Sequence, residues 1–221
     1  MSDGSAGADD GVTTAADDGL AAGPFAAWAD AMDAALAGDR DADVPCGTCT
    51  ACCTSSQFIH IGPHETDALA HIPAALRFPA PGLPKGHVLL GYDERGHCPM
   101  LSDGLCTIYD HRPRTCRTYD CRVFPAAGIE VDDATKREIR DRARRWRFDH
   151  PTEDDRTEHD AVRAAATYLR ERADELPDVV AHLDATQLAV LAVEVRDEFN
   201  DGDVPDPERV HAEVSDRLLG P

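Results

Sequence analysis

Cys46-Gly-Thr-Cys49-Thr-Ala-Cys52-Cys53 puts four thiols into eight residues, and Cys98-Pro-Met-Leu-Ser-Asp-Gly-Leu-Cys106-Thr-Ile-Tyr-Asp-His-Arg-Pro-Arg-Thr-Cys116-Arg-Thr-Tyr-Asp-Cys121 supplies the remaining four. A C-x2-C turn lets two thiolates converge on one ion while backbone N–H groups point at the sulfurs, and a further x2-C brings a third to the same side. Adjacent side chains in an extended or turn backbone point apart, so Cys52 and Cys53 are expected to serve two centres or one polynuclear centre. Eight thiols is the number that two four-thiolate sites require. The preferred arrangement groups Cys46, Cys49 and Cys52 with one distant cysteine, and Cys53 with the other three. The first set is like the three-plus-one ligation of a ferredoxin [4Fe-4S] cluster, and Cys98-Pro99 is like the remote Cys-Pro of that pattern. Zinc would instead take two independent tetrahedra, and the spacing fits either metal.

Working outward, the cysteine stretch differs in charge from its flanks. The chain has 221 residues with 42 Asp and Glu against 22 Lys and Arg, a net charge of −20. Residues 1–45 hold ten acids and one base, residues 46–125 seven of each, and residues 126–221 hold 25 acids and 14 bases. A pI near 4.7 argues against DNA or RNA, whose affinity comes from neutralised phosphates. No apolar run approaches a membrane span, and the start lacks the basic and apolar regions of a signal peptide, so a cytoplasmic protein is expected. In a reducing compartment, dense and regularly spaced cysteines read as metal ligands rather than disulfides.

Four segments follow. Residues 1–22 are Asp, Gly, Ala, Ser and Thr with almost no large apolar side chain and are expected to be disordered. Residues 23–45 contain Phe25, Trp28, Met32 and Leu36 at helical spacing after Pro24, then an acidic linker. Residues 46–125 form the cysteine domain, with short strands at Phe58–Ile61 and His87–Leu90 and a helix at Thr66–Leu76 interrupted near Pro73. So irregular a segment draws its stability from metal–thiolate bonds, because binding at a site absent from the unfolded chain is folding free energy. Residues 126–221 read as helices over Asp133–Phe148, Arg156–Arg172, a third opened by the capping box Asp184-Ala-Thr-Gln187, and a last one from Asp206-Pro207. The fold class is mostly α with short β-hairpin elements, a small metal-nucleated cysteine domain preceding a helical region.

With these residues set out, the pattern resembles the YkgJ-type cysteine-cluster family, a zinc- or iron-chelating domain. The match lies in Cys46-x2-Cys49-x2-Cys52-Cys53, Cys98-Pro-Met-Leu101, Gly104-Leu-Cys106-Thr-Ile-Tyr109, Arg112-Pro-Arg-Thr-Cys116-Arg117 and the final Cys121. It covers about residues 46–125. The resemblance implies metal ligation by Cys46, Cys49, Cys52, Cys53, Cys98, Cys106, Cys116 and Cys121, and it extends distantly to the flagellin lysine-N-methylase, which joins such a domain to protein methylation.

Arg112, Arg114, Arg117 and Arg122 surround the last two cysteines. Four thiolates on one divalent ion carry a net −2, which guanidinium groups would offset; the competing reading pairs them with Asp110 and Asp120. His97 and His111 are the histidines close enough in sequence to the cysteines to be candidate ligands. The first functional reading is a zinc or iron module. The second is an iron–sulfur redox or methyl-transfer component acting on a protein substrate, although no radical-SAM C-x3-C-x2-C, dinucleotide G-x-G-x-x-G or phosphate-binding G-x4-G-K-S/T is present. The third is a partner-binding adaptor using the Arg-rich helix 136–147, against which stands a solvated face closing onto its own acidic neighbours.

Overall fold

A computed structural model describes residues 19–42, 44–200 and 205–219. Most of the expected N-terminal segment, residues 1–18, lies outside the described residues. Its end does not match the expectation: Leu20–Pro24 forms a strand, β1. Helix α1 (Phe25–Ala37) follows directly and buries Phe25, Trp28, Ala29, Met32 and Ala35 along one face. It ends at Gly38, whose φ of 91° is the left-handed conformation that glycine adopts without a Cβ penalty.

The middle of the chain is built from short pieces. After a 3₁₀ turn at Ala51–Thr54 come β2 (Ile59–Ile61), helix α2 (Thr66–His71), a 3₁₀ turn at Ala74–Leu76, β3 (Arg77–Pro79) and β4 (Val88–Leu90). The three strands pair antiparallel in the order β2-β4-β3, with Ile59 and Arg77 both opposite Leu90. Pro73 divides the expected Thr66–Leu76 helix, since a proline disfavours helical backbone in the residue before it. Strands β5 (Leu101–Ser102) and β6 (Leu105–Cys106) make a hairpin over Asp103-Gly104, both at positive φ, the geometry that matches strand twist in a two-residue turn. Helices α3 (Arg114–Thr118) and α4 (Val123–Ala127) complete this part.

Beyond it the chain is helical with one exception. The helix expected over Asp133–Phe148 is a 3₁₀ turn at Ala134–Lys136, a short helix α5 (Arg137–Ala143) and a strand β7 (Trp146–Asp149) that pairs parallel with β1, Leu20 opposite Trp146. Trp146-Arg-Phe-Asp149 alternates large apolar with polar, which suits a half-buried strand. Phe148 packs edge-on against Phe25, at 4.9 Å between centroids. Helices α6 (Glu153–Glu171), α7 (Ala185–Glu194) and α8 (Pro207–Leu219) follow. Two of them open with reciprocal capping boxes, Thr152 with Asp155 and, as expected, Asp184 with Gln187.

The core does not divide at residue 125. One large cluster joins Phe25, Trp28 and Met32 of α1 to Cys121, Val123 and Phe124, then to Ile139, Trp146 and the inner faces of α6, α7 and α8. A smaller one holds Ile61, Ala68, Ile72, Leu90 and Ile108, with Cys98, Met100 and Cys106 packed against it. The cysteine segment is thus shared between a small sheet-and-turn core and the helical core. Arg196, buried against Asp33 of α1 at 2.6 Å and Glu158 of α6 at 2.7 Å, ties the helical layer together. No helix among the described residues is long and apolar enough to cross a membrane.

Candidate metal centre

The eight cysteines arrive from six pieces of chain. The Cys46 N–H bonds back to Val44, and Cys49 N–H donates to the Cys46 carbonyl at 3.0 Å across a turn containing Gly47 at φ 57°. A second turn, Cys53 N–H to the Thr50 carbonyl at 2.8 Å, leads into the 3₁₀ segment that carries Cys52 and Cys53. Ser55 Oγ donates to the Ala51 carbonyl at 2.6 Å and holds that segment closed. The two halves of the motif meet where Cys98 N–H donates to the Cys53 carbonyl at 2.7 Å, beside Ser56 N–H on the Gly96 carbonyl at 2.8 Å. Cys106 sits on β6, Cys116 on α3, and Cys121 in the turn before α4. Cys121 is buried, Cys46 and Cys52 are exposed as residues, and the rest are half-buried; all are free thiols.

The thiols fall into two neighbourhoods. Cys46 is electrostatically close to Cys52 and Cys49, and Cys121 to Cys46 and Cys49. Cys98 is close to Cys106 and Cys52, and Cys116 to Cys52, Cys98 and Cys106. Cys52 faces both sets. Its charge is also coupled to that of the adjacent Cys53. A 3₁₀ segment turns about 120° per residue rather than the 180° of a strand, so neighbouring side chains there diverge less. The electrostatic neighbours of Cys116 are thus Cys52, Cys98 and Cys106, and those of Cys121 are Cys46 and Cys49.

Burial and neighbouring thiols raise Cys46, Cys52, Cys98, Cys116 and Cys121. Burial, then the neighbouring sulfurs Cys52, Cys98 and Cys106, pushes Cys116 up to about 12. Burial also pushes Cys121 up to about 12, against a Trp146 Nε1–H bond to its sulfur at 3.2 Å. Cys46 and Cys98 are raised mainly by burial, and Cys52 chiefly by the adjacent Cys53 thiol. The metal ligand is the thiolate, so metal uptake at such a set releases protons, and the positive charge of the ion is what makes ionisation favourable.

The arginines divide unevenly between the two readings. Arg122 pairs with Asp120 at 2.7 Å, buried, while Arg117 pairs with Asp41 and Arg114 closes the end of α1 through the Ala35 and Leu36 carbonyls. Arg112 opposes the charge of Cys116 and lies 3.7 Å over the Tyr109 ring. Two further residues have no signal in the cysteine spacing. Arg142 of α5 opposes the charge of Cys46 and donates to the Pro45 and Cys46 carbonyls at 3.3 Å. The Tyr119 hydroxyl is buried with no hydrogen-bond partner among the described residues, beside Cys121 and Cys52, and burial raises it well above the usual phenol range. A buried donor without an acceptor is costly, which marks this part of the cysteine segment as polar and unfilled. The donor set suits a soft ion in its chemistry, but no three of its sulfurs lie within 4.8 Å of one another, so the thiols are gathered without being closed around one ion. His97 is held in the Asp93 turn through its N–H, at 2.8 Å from Oδ1, and His111 is drawn away to Asp67. The Arg-rich segment pairs with acids, Lys136 with Asp184 and Arg144 with Glu130, as the solvated-face reading expects.

Residues 45–143 match the model of the CxxCxxCC family, described as a "Putative zinc- or iron-chelating domain". The match runs past the last cysteine to the end of α5, the helix that anchors the Cys46 loop through Arg142. No curated protein and no solved structure matches the chain.

Proposed function

We propose, taking residues 45–143 as a member of the CxxCxxCC family, that this chain holds zinc or iron through Cys46, Cys49, Cys52, Cys53, Cys98, Cys106, Cys116 and Cys121, in two adjoining centres. The observation that carries the reading is that the fold joins the two halves of the motif, Cys98 N–H on the Cys53 carbonyl at 2.7 Å, with the charges of Cys98 and Cys116 coupled to that of Cys52. Cys46, Cys49 and Cys121 would supply one centre and Cys98, Cys106 and Cys116 the other, completed by the adjacent pair. The bound metal would supply cross-linking energy to a segment whose own core is small, and Arg112 and Arg142 would offset thiolate charge. The domain, on this reading, extends from residue 45 through α5.

The position of Cys52 toward both sets favours a second reading, a polynuclear iron–sulfur centre with a redox or methyl-transfer role on a protein. One preparation separates the two. Protein purified without oxygen, analysed for metal and acid-labile sulfide, is expected to be colourless with zinc, or brown with iron and sulfide. Cys49→Ser and Cys116→Ser are each expected to lose metal and to loosen the middle of the chain. A folded protein with no metal and eight titratable thiols would overturn the proposal.

A further inference from the structure

A second donor cluster lies outside the thiols. Asp67 and His71 stand four residues apart on α2 and so share a face. His111, at the end of the 3₁₀ turn Tyr109–His111, joins them. Their three ligand atoms all lie within 4.8 Å of one another, the one such trio among the described residues. His111 Nδ1 is 2.8 Å from Asp67 Oδ2, and His71 Nδ1 is 3.6 Å from Asp67 Oδ1. The two imidazoles stack face to face, 3.5 Å between centroids and 4° from parallel. Imidazole lone pairs lie in the ring plane and His71 Nδ1–H donates to the Asp67 carbonyl at 2.9 Å, so His71 would take an ion through Nε2 with its ring turned out of the stack.

Both arms are fixed from beneath. Ala68 and Ile72, which flank the α2 pair, and Ile108, which precedes the 3₁₀ turn, are buried together in the small core. Glu65, just before α2, accepts from Gly62 N–H at 2.7 Å and from Arg114 N–H at 2.5 Å, which sets the start of the helix against α3. The upper face is open: the Asp67, His71 and His111 side chains are 66%, 42% and 39% exposed. Two imidazoles and a carboxylate with open positions suit zinc or ferrous iron.

The geometry points to Asp67, His71 and His111 as a separate site for one divalent first-row ion, exchangeable with solvent and independent of the thiol centres. Nitrogen and oxygen donors give it a different spectroscopic signature from thiolate. The full-length protein, with its thiol-bound metal first measured by elemental analysis, is titrated with Co²⁺ by calorimetry and absorption. The expected result is one further Co²⁺ per chain, with weak ligand-field bands and no sulfur-to-cobalt charge transfer. His71→Ala and His111→Ala are each expected to weaken that ion at least about tenfold, a loss that removal of a mere supporting partner already causes at metal sites. Thiol-bound metal should not change in either variant, which also reports that the chain is folded. Binding of no further ion, a further ion bringing charge transfer, or full affinity in both variants would overturn the assignment. Absence of thiol-bound metal at the outset would count against the proposed function and leave this site standing.

Discussion

Asp120→Asn tests the packing beneath the cysteines. Asp120 is 4% exposed and accepts from Trp28 Nε1 at 2.9 Å, from Arg122 N–H at 2.8 Å and from Arg122 Nε at 2.9 and 3.0 Å. Arg122 is itself 7% exposed and reaches the Ala22 carbonyl at 3.3 Å, so this pair joins β1, α1 and the turn carrying Cys121. Asparagine keeps the shape and one acceptor oxygen but removes the charge that offsets a buried guanidinium. Breaking one partner of a buried pair costs about 3–5 kcal/mol, because the remaining charge was desolvated on the strength of the other. Against a typical total of about 5–15 kcal/mol this is a large share. Unfolding in urea, followed by the fluorescence of Trp28 and Trp146, should move to a lower midpoint by about 2 M for a slope of about 2 kcal/mol per molar. Removing the second charge as well, in Asp120→Asn with Arg122→Met, should recover at least about 2 kcal/mol, since an apolar replacement no longer buries an offset charge. A single variant within about 0.5 kcal/mol of the parent, the scatter of a neutral surface change, would refute the reasoning. So would a double variant no more stable than the single.

Two other perturbations bear on the helical layer. His159 is buried between Phe25, stacked at 4.2 Å, and His150; burial first, then the charges of Arg163 and His150, lowers it to about 4. An unfolded chain, with its histidine near 6.5, takes up the proton first, so the penalty is absent above about pH 6.5, grows as pH falls, and is complete below about 4, at about 3 kcal/mol. His159→Phe should therefore lose about 2–3 kcal/mol less stability than the parent between pH 7 and 4.5; equal losses in paired urea titrations would count against it. Arg196→Met removes the link from the 3₁₀ turn after α7 (Arg196–Phe199) to Asp33 and Glu158, whose side chains are 43% and 27% exposed and can rehydrate. The cost should be about 2 kcal/mol, read as a fall of about 4–8 °C in Tm, and an unchanged Tm would show the link to be idle.

Part of this architecture was legible because it is local. The α1 face of Phe25, Trp28 and Met32, the strands at Ile59–Ile61 and Val88–Leu90, and the Asp184–Gln187 capping box each follow from residues within one or two turns of each other. The strand at Trp146–Asp149 carried an alternating signal, but an Arg-rich helical stretch ran into it, and its partner Leu20–Pro24 stood in a segment too poor in apolar residues to suggest pairing. Arg142 had no readable signal, since it reaches the Cys46 loop from 96 residues further along, and Tyr119, though two residues from Cys121, is buried by packing that no local pattern shows.

The sequence by itself determined the chemistry of this chain: eight cysteines in fixed spacing within a charge-neutral stretch, matched to a zinc- or iron-chelating family. Spacing determines chemistry because neighbouring thiols in a short turn have few ways to avoid one another. Only the tertiary structure decided that Cys121 lies in the floor of the helical core, its charge coupled to Cys46 and Cys49, and that His111 meets Asp67 and His71 instead. Those pairings cross between two cores packed on either side of the cysteines, and packing depends on the shapes of surfaces that no local pattern encodes.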